Sequence, residues 1–151
     1  MEMTMKIIAP EGYEIDKEKS TLENIVFKKI DDVVIRWDNV CNGVIIKDGG
    51  EHFIVDASKP CYICSWHEAV RFDKSGCFWK LPTIKQLKVL SKHINKVNEI
   101  IRENNGYEIK GWLWSCEGKN LLYALVVGMT SGSTRNYRKN SLGYVRAVST
   151  L

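Results

Sequence analysis

The chain has 151 residues, 44% apolar, 26% charged and 10% aromatic, the composition of one soluble globular domain and not of a disordered, fibrous or collagen-like chain. At this length folding buries roughly 70% of the unfolded surface, so a core forms without staples. The net charge of +4 is unevenly spread: residues 1–60 carry 8 Lys/Arg against 12 Asp/Glu, and residues 61–151 carry 14 against 6.

After Glu117 the last 34 residues contain no acid, only Lys119, Arg135, Arg138, Lys139 and Arg146. No run approaches the roughly 18 apolar residues needed to cross a bilayer, and the one early apolar stretch, Ile7-Ile8-Ala9, is too short for a secretory leader. Five cysteines, an odd number, argue against a secreted disulfide framework. The expectation is a cytoplasmic or virion-associated protein with no signal peptide, no transmembrane segment and no membrane partner.

In chain order, residues 1–36 read as an extended, charge-rich N-terminal arm. The Pro10-Glu11-Gly12 turn leads through a polar stretch to a short apolar strand, Ile25-Val26-Phe27. Residues 37–151 form the domain proper. Val33-Val34-Ile35 and Val44-Ile45-Ile46 are β-branched runs, and the second continues through Asp48-Gly49-Gly50 to His52-Phe53-Ile54-Val55 as a hairpin. Ser65-x-x-Glu68 is a capping box and predicts a short helix over about 66–73.

Thr83 and Gln86 form a second capping box. They open a long amphipathic helix over about 84–104 whose apolar positions are Ile84, Leu87, Leu90, Ile94, Val97 and Ile101. Lys85, Lys88, Lys92, Lys96, Glu99 and Glu103 form its solvated stripe, and Asn104-Asn105-Gly106 supplies a left-handed stop. Strands return at 111–114, 121–127 and 143–148, which makes the fold class α+β with a mostly antiparallel sheet.

Chemistry is sparse. No nucleophile elbow, phosphate-binding loop or dinucleotide fingerprint occurs, so a non-catalytic protein is expected. His93, beside the apolar helix face, reads as a structural histidine. Cys61-x-x-Cys64-x-x-His67 with Cys77 downstream has ligand types that suit zinc, but gaps unlike those of common ribbons or fingers. The four remain weak candidates, free buried or half-buried thiols are the default reading for the cysteines, and no cofactor is expected. Trp79 and Trp114 read as core residues whose indole N–H finds a carbonyl. If residues 112–115 alternate, Trp112 shares a face with Trp114.

The ordered set Trp66-x-Glu68-Ala69, Gly76, Trp79-x-Leu81-Pro82-Thr83, the long helix, Trp114-Ser115, Ala124, Gly128 and Tyr144-Val145-Arg146-Ala147-Val148 resembles a C-type-lectin-like domain. It is similar to the branch that holds the Fibrobacter-type major paralogous domain and, more distantly, the variable proteins of diversity-generating retroelements. The resemblance covers roughly residues 42–149. Residues 10–30 are similar to an opening found in proteins of gut anaerobes and their prophages. The resemblance implies a binding surface displayed on a fixed scaffold. The acid-free C-terminal stretch lacks the carboxylates that a lectin-type calcium site needs, so binding would be calcium-independent.

The segment 129–142, polar and glycine-containing between two apolar strands, is the expected recognition loop, rich in the Ser, Asn, Tyr and Arg of adaptable binding loops. The candidate ligand-binding residues are Trp112, Arg135, Asn136, Tyr137, Arg138 and Asn140. The expected function is non-catalytic recognition of a protein or glycan. The alternative is a phage or prophage structural or accessory protein that assembles, as a homo-oligomer, through its N-terminal arm. Nucleic acid is a less favoured partner for the basic C-terminal half.

Overall fold

The computed structural model describes residues 7–11, 13–21, 23–29, 33–71 and 79–151. They divide into two compact units that meet between Asp32 and Val33. In the first unit the chain turns at Pro10, whose carbonyl accepts from Tyr13 N–H at 3.0 Å, and forms an antiparallel pair, β1 (Tyr13–Ile15) with β2 (Phe27–Lys29). The expected extended arm is thus partly a hairpin.

The second unit contains β3 (Val34–Asp38), β4 (Gly43–Asp48), β5 (Glu51–Asp56), β6 (Tyr62–Cys64), α1 (Trp66–Ala69), α2 (Ile84–Lys92), α3 (Ile94–Glu103), β7 (Trp112–Gly118), β8 (Tyr123–Gly128), β9 (Thr134–Arg138), β10 (Gly143–Val145) and β11 (Val148–Thr150). The expected division after residue 36 falls inside β3, which pairs with β4 from Val34 to Asp38, so residues 33–36 belong to the domain. One sheet has the order β11-β5-β4-β3 and the other β6-β10-β7-β8-β9. Every pairing is antiparallel except β10 with β7. The α+β class is therefore established.

The β4–β5 hairpin forms where the Asp48-Gly49-Gly50 turn predicts it, with Gly49 at φ 59°. Val44, Ile46, Phe53 and Val55 point from this hairpin into the main core, where Leu87, Leu90, Val97 and Ile101 of the helices meet Leu113 and Val127 of the other sheet. Ile84 and Ile94 pack at its margin, so all six predicted apolar helix positions face inward.

The helical segment is not one rod. It breaks at His93 (φ −109°, ψ 15°), between α2 and α3. The His93 ring bonds Asp48 Oδ2 at 2.7 Å, and the same oxygen accepts from Lys92 Nζ at 3.0 Å. That contact ties the break to the end of β4. Thr83 and Gln86 complete both halves of their capping box. The helix ends with Asn105 at φ 58°, and Gly106 N–H donates to the Ile101 carbonyl at 2.9 Å, a Schellman ending.

Around α1 the outcome is shorter than expected. Ser65 caps Glu68 N–H and the helix ends at Ala69, while the last two positions of the expected 66–73 helix lie outside the described residues. The expected C-terminal strand 143–148 divides instead at Arg146-Ala147. Its first half joins the five-stranded sheet and its second half the four-stranded one, with Val145 in the smaller core and Val148 in the main one.

Candidate functional site

Three of the six candidate residues gather on one face of the five-stranded sheet. Trp112 and Trp114 lie two residues apart on β7, opposite Gly128 and Val126 of β8, and across from these β9 presents Arg135 (opposite Val126) and Tyr137 (opposite Ala124). Paired residues share a face, so Trp112, Trp114, Arg135 and Tyr137 point the same way. Trp114 is fully buried and donates its indole N–H to the Cys64 carbonyl at 2.9 Å. The expected core role of Trp114 therefore holds, whereas Trp79 is only half-buried.

Tyr137 stands edge-on to Trp114, with ring centroids 5.8 Å apart, and lies tilted beside Trp112 at 6.3 Å. The Arg135 guanidinium lies 4.4 Å above the Trp112 ring. Cation–π contact of this kind fixes the side chain while leaving its outer donors in water. Gly128 makes room for the indole, since a Cβ there would lie 2.9 Å from the ring.

Residues 134–138 are not loop but β9, the edge strand of its sheet. Alternation along it sends Asn136 and Arg138, both exposed, to the opposite face, and Asn140 lies in the turn beyond. The preceding turn is pinned: Ser91 of α2 donates its hydroxyl to the Gly128 and Met129 carbonyls at 3.3 and 3.0 Å, and Met129 is buried. Polarity marked this segment as surface, but the β-propensity of Thr134 and Tyr137 and the apolar strand beside them made it sheet.

A second cation–aromatic pair extends this side of the molecule and was not read from the sequence. Lys139 Nζ lies 4.5 Å above the Trp66 ring, whose N–H donates to the Ser115 carbonyl at 2.9 Å. Trp66, Trp112 and Tyr137 all pack against the smaller core of Cys64, Leu81, Trp114, Ala124, Val126 and Val145. Lys139 and Trp66 are 73 positions apart, so no local spacing could have joined them.

The weak zinc candidates separate. Cys64 is buried in the smaller core, Cys61 contacts Arg146, and exposed His67 packs edge-on to Trp66 at 5.8 Å. Cys77 lies outside the described residues. Among the described residues no group of three or more His, Cys, Asp or Glu could hold a metal ion. Cys41 and Cys116 are exposed, which corrects the default reading of the cysteines as buried or half-buried thiols. Among the described residues no helix is long and apolar enough to cross a membrane.

No protein-family model matches the chain, and no curated protein matches it.

Proposed function

We propose that the chain is a C-type-lectin-like recognition module without catalytic activity, calcium-independent, that holds a protein or glycan ligand on the face carrying Trp112, Arg135 and Tyr137. The observation that carries this reading is the grouping itself: a cation stacked on a half-buried indole, beside a tyrosine, on an edge strand. Aromatic faces offer rigid contact area at little entropic cost, and the arginine adds directed donors. The turn pinned by Ser91 and the long helical segment act as the fixed support, in keeping with the order of motifs from Trp66 to Val148. Asn136 and Arg138, on the opposite face of β9, and Asn140, in the turn beyond it, lie outside this surface.

The test compares wild type with Arg135→Ala and Arg138→Ala on an immobilised glycan panel and in tagged co-purification from the host. Both variants are expected to melt like wild type, because both side chains are exposed, and Arg135→Ala to lose about tenfold or more in affinity, the cost of a hot-spot arginine. Ligand capture unchanged by Arg135→Ala sinks the reading.

A second reading, a phage or prophage accessory protein located in the cytoplasm or on a virion, rests on the separate N-terminal unit. A lone two-stranded hairpin is marginal in water, so β1 and β2 would gain from docking onto an assembly or a second copy. A chain starting at Val33 that keeps the oligomeric state of the full chain removes this reading.

A further inference from the structure

Arg146 is the one charged side chain buried among the described residues, 3% exposed. Its guanidinium has five N–H donors. Nη1 donates to the carbonyls of Asp56 at 3.2 Å and Lys59 at 2.7 Å. Nη2 donates to the Glu108 carbonyl at 3.0 Å and to the Cys61 sulfur at 2.9 Å. Nε is buried and has no partner. Every oxygen acceptor is a neutral carbonyl, and among the described residues no carboxylate pairs with this cation. The nearby Asp56 carboxylate is turned to Ser58, accepting from its N–H at 2.9 Å and its hydroxyl at 2.6 Å.

A buried cation without a counter-ion is strongly disfavoured. The geometry states what would relieve it. Nε and Nη2 lie on one edge of the planar guanidinium, the edge that grips a carboxylate-shaped oxyanion with two parallel bonds. Cys61 already sits on the Nη2 prong, and the Nε prong lacks an acceptor. Arg146 also lines a cavity of about 380 Å³, together with Asp56, Lys59, Pro60 and Tyr62. Pro60 and Tyr62 are the chain neighbours of Cys61, which is itself half-buried. The half-burial of Cys61 leaves its sulfur a path for a small oxidant.

We infer that Cys61 is an oxidative modification site: hydrogen peroxide converts its thiol to a sulfinate whose two oxygens accept from Nε and Nη2 of Arg146. In the first step sulfur attacks one peroxide oxygen and the O–O bond breaks, so one thiol and one peroxide give a sulfenic acid and one water. A second peroxide gives the sulfinic acid and a second water, and the acid releases its proton to solvent. Sulfur loses two electrons in each step, and peroxide is the two-electron acceptor. The adjacent guanidinium offsets the negative charge that builds on the product. Two other thiols are set against the reaction. Desolvation and the Glu68 charge push Cys64 up, and desolvation with the Asp38 hydrogen bond and charge pushes Cys41 up.

The full chain is titrated with hydrogen peroxide, digested and mapped by peptide mass. Cys61 is expected to gain two oxygens at doses that leave Cys41, Cys64 and Cys116 largely as thiols. The oxidised protein should melt roughly 5 °C above the reduced one, the shift for one charge-assisted pair in a domain of this size. In a second measurement that needs no oxidant, Cys61→Asp places a carboxylate on the clamp and should melt above the isosteric Cys61→Asn by a similar margin. Sulfinate forming first at Cys41 or Cys116, or an oxidised protein that melts lower, overturns the assignment. So does Cys61→Asp melting, or folding, no better than Cys61→Asn, because Arg146 would then be only a strap between neutral carbonyls.

Discussion

Gly143 shows how narrowly the smaller core is cut. A Cβ at this position would lie 2.6 Å from the Trp114 indole nitrogen, the atom that donates to Cys64. Gly143→Ala must therefore displace the ring or break that bond. Overpacking of this kind costs about 1–3 kcal/mol, or roughly 2–4 °C of melting temperature per kcal/mol in a domain of this size, readable by calorimetry. Melting like wild type would mean that the ring has space to shift. Tyr137 belongs to the same packing. It touches both Trp112 and Trp114, so removing its ring tests packing and recognition together, whereas Arg135→Ala tests recognition alone.

Among the elements, α2 is the best specified. Thr83 and Gln86 cap it from within, and a bulge in β7 between Trp114 and Gly118 brings Glu117 to the helix start, where its Oε2 accepts from Ile84 N–H at 2.8 Å. Thr83→Ala should cost about 1 kcal/mol and Glu117→Gln about 0.5 kcal/mol, the worth of an exposed carboxylate at a helix N-terminus. Both losses would appear as lower denaturation midpoints with unchanged slope.

The break between α2 and α3 carries a pH signature. Hydrogen bonds from His93 and Lys92 hold the Asp48 carboxyl below its ordinary 3.8. The folded state therefore binds that proton more weakly than the unfolded state. Its stabilisation is complete above the ordinary value and is lost as pH falls through the lowered one. Asp48→Asn should reduce the melting temperature at about pH 6 and converge with wild type only once the pH has fallen below the lowered value of the carboxyl. A constant gap across that range would show that the contact is not electrostatic.

For the whole molecule, the division between Asp32 and Val33 predicts that a chain starting at Val33 folds by itself. Its main core joins both sheets through α2 and α3. Such a chain should keep its far-ultraviolet dichroism and unfold in one cooperative step. A loss of cooperativity would mean that residues 1–32 complete the core.

The sequence by itself determined the β4–β5 hairpin, both helix caps, the inward helix face and the left-handed helix stop, because each depends on contacts within a few residues and on periodicity. It also identified Trp112, Arg135 and Tyr137 as candidates. Only the tertiary structure decided that 134–138 is an edge strand, which separates these three from Asn136 and Arg138. It alone joined Lys139 to Trp66, broke the helical segment at His93 through Asp48, and divided the last strand at Arg146. Those outcomes depend on partners tens of residues away. The chain closes such contacts only when both sheets and the helices between them are in place.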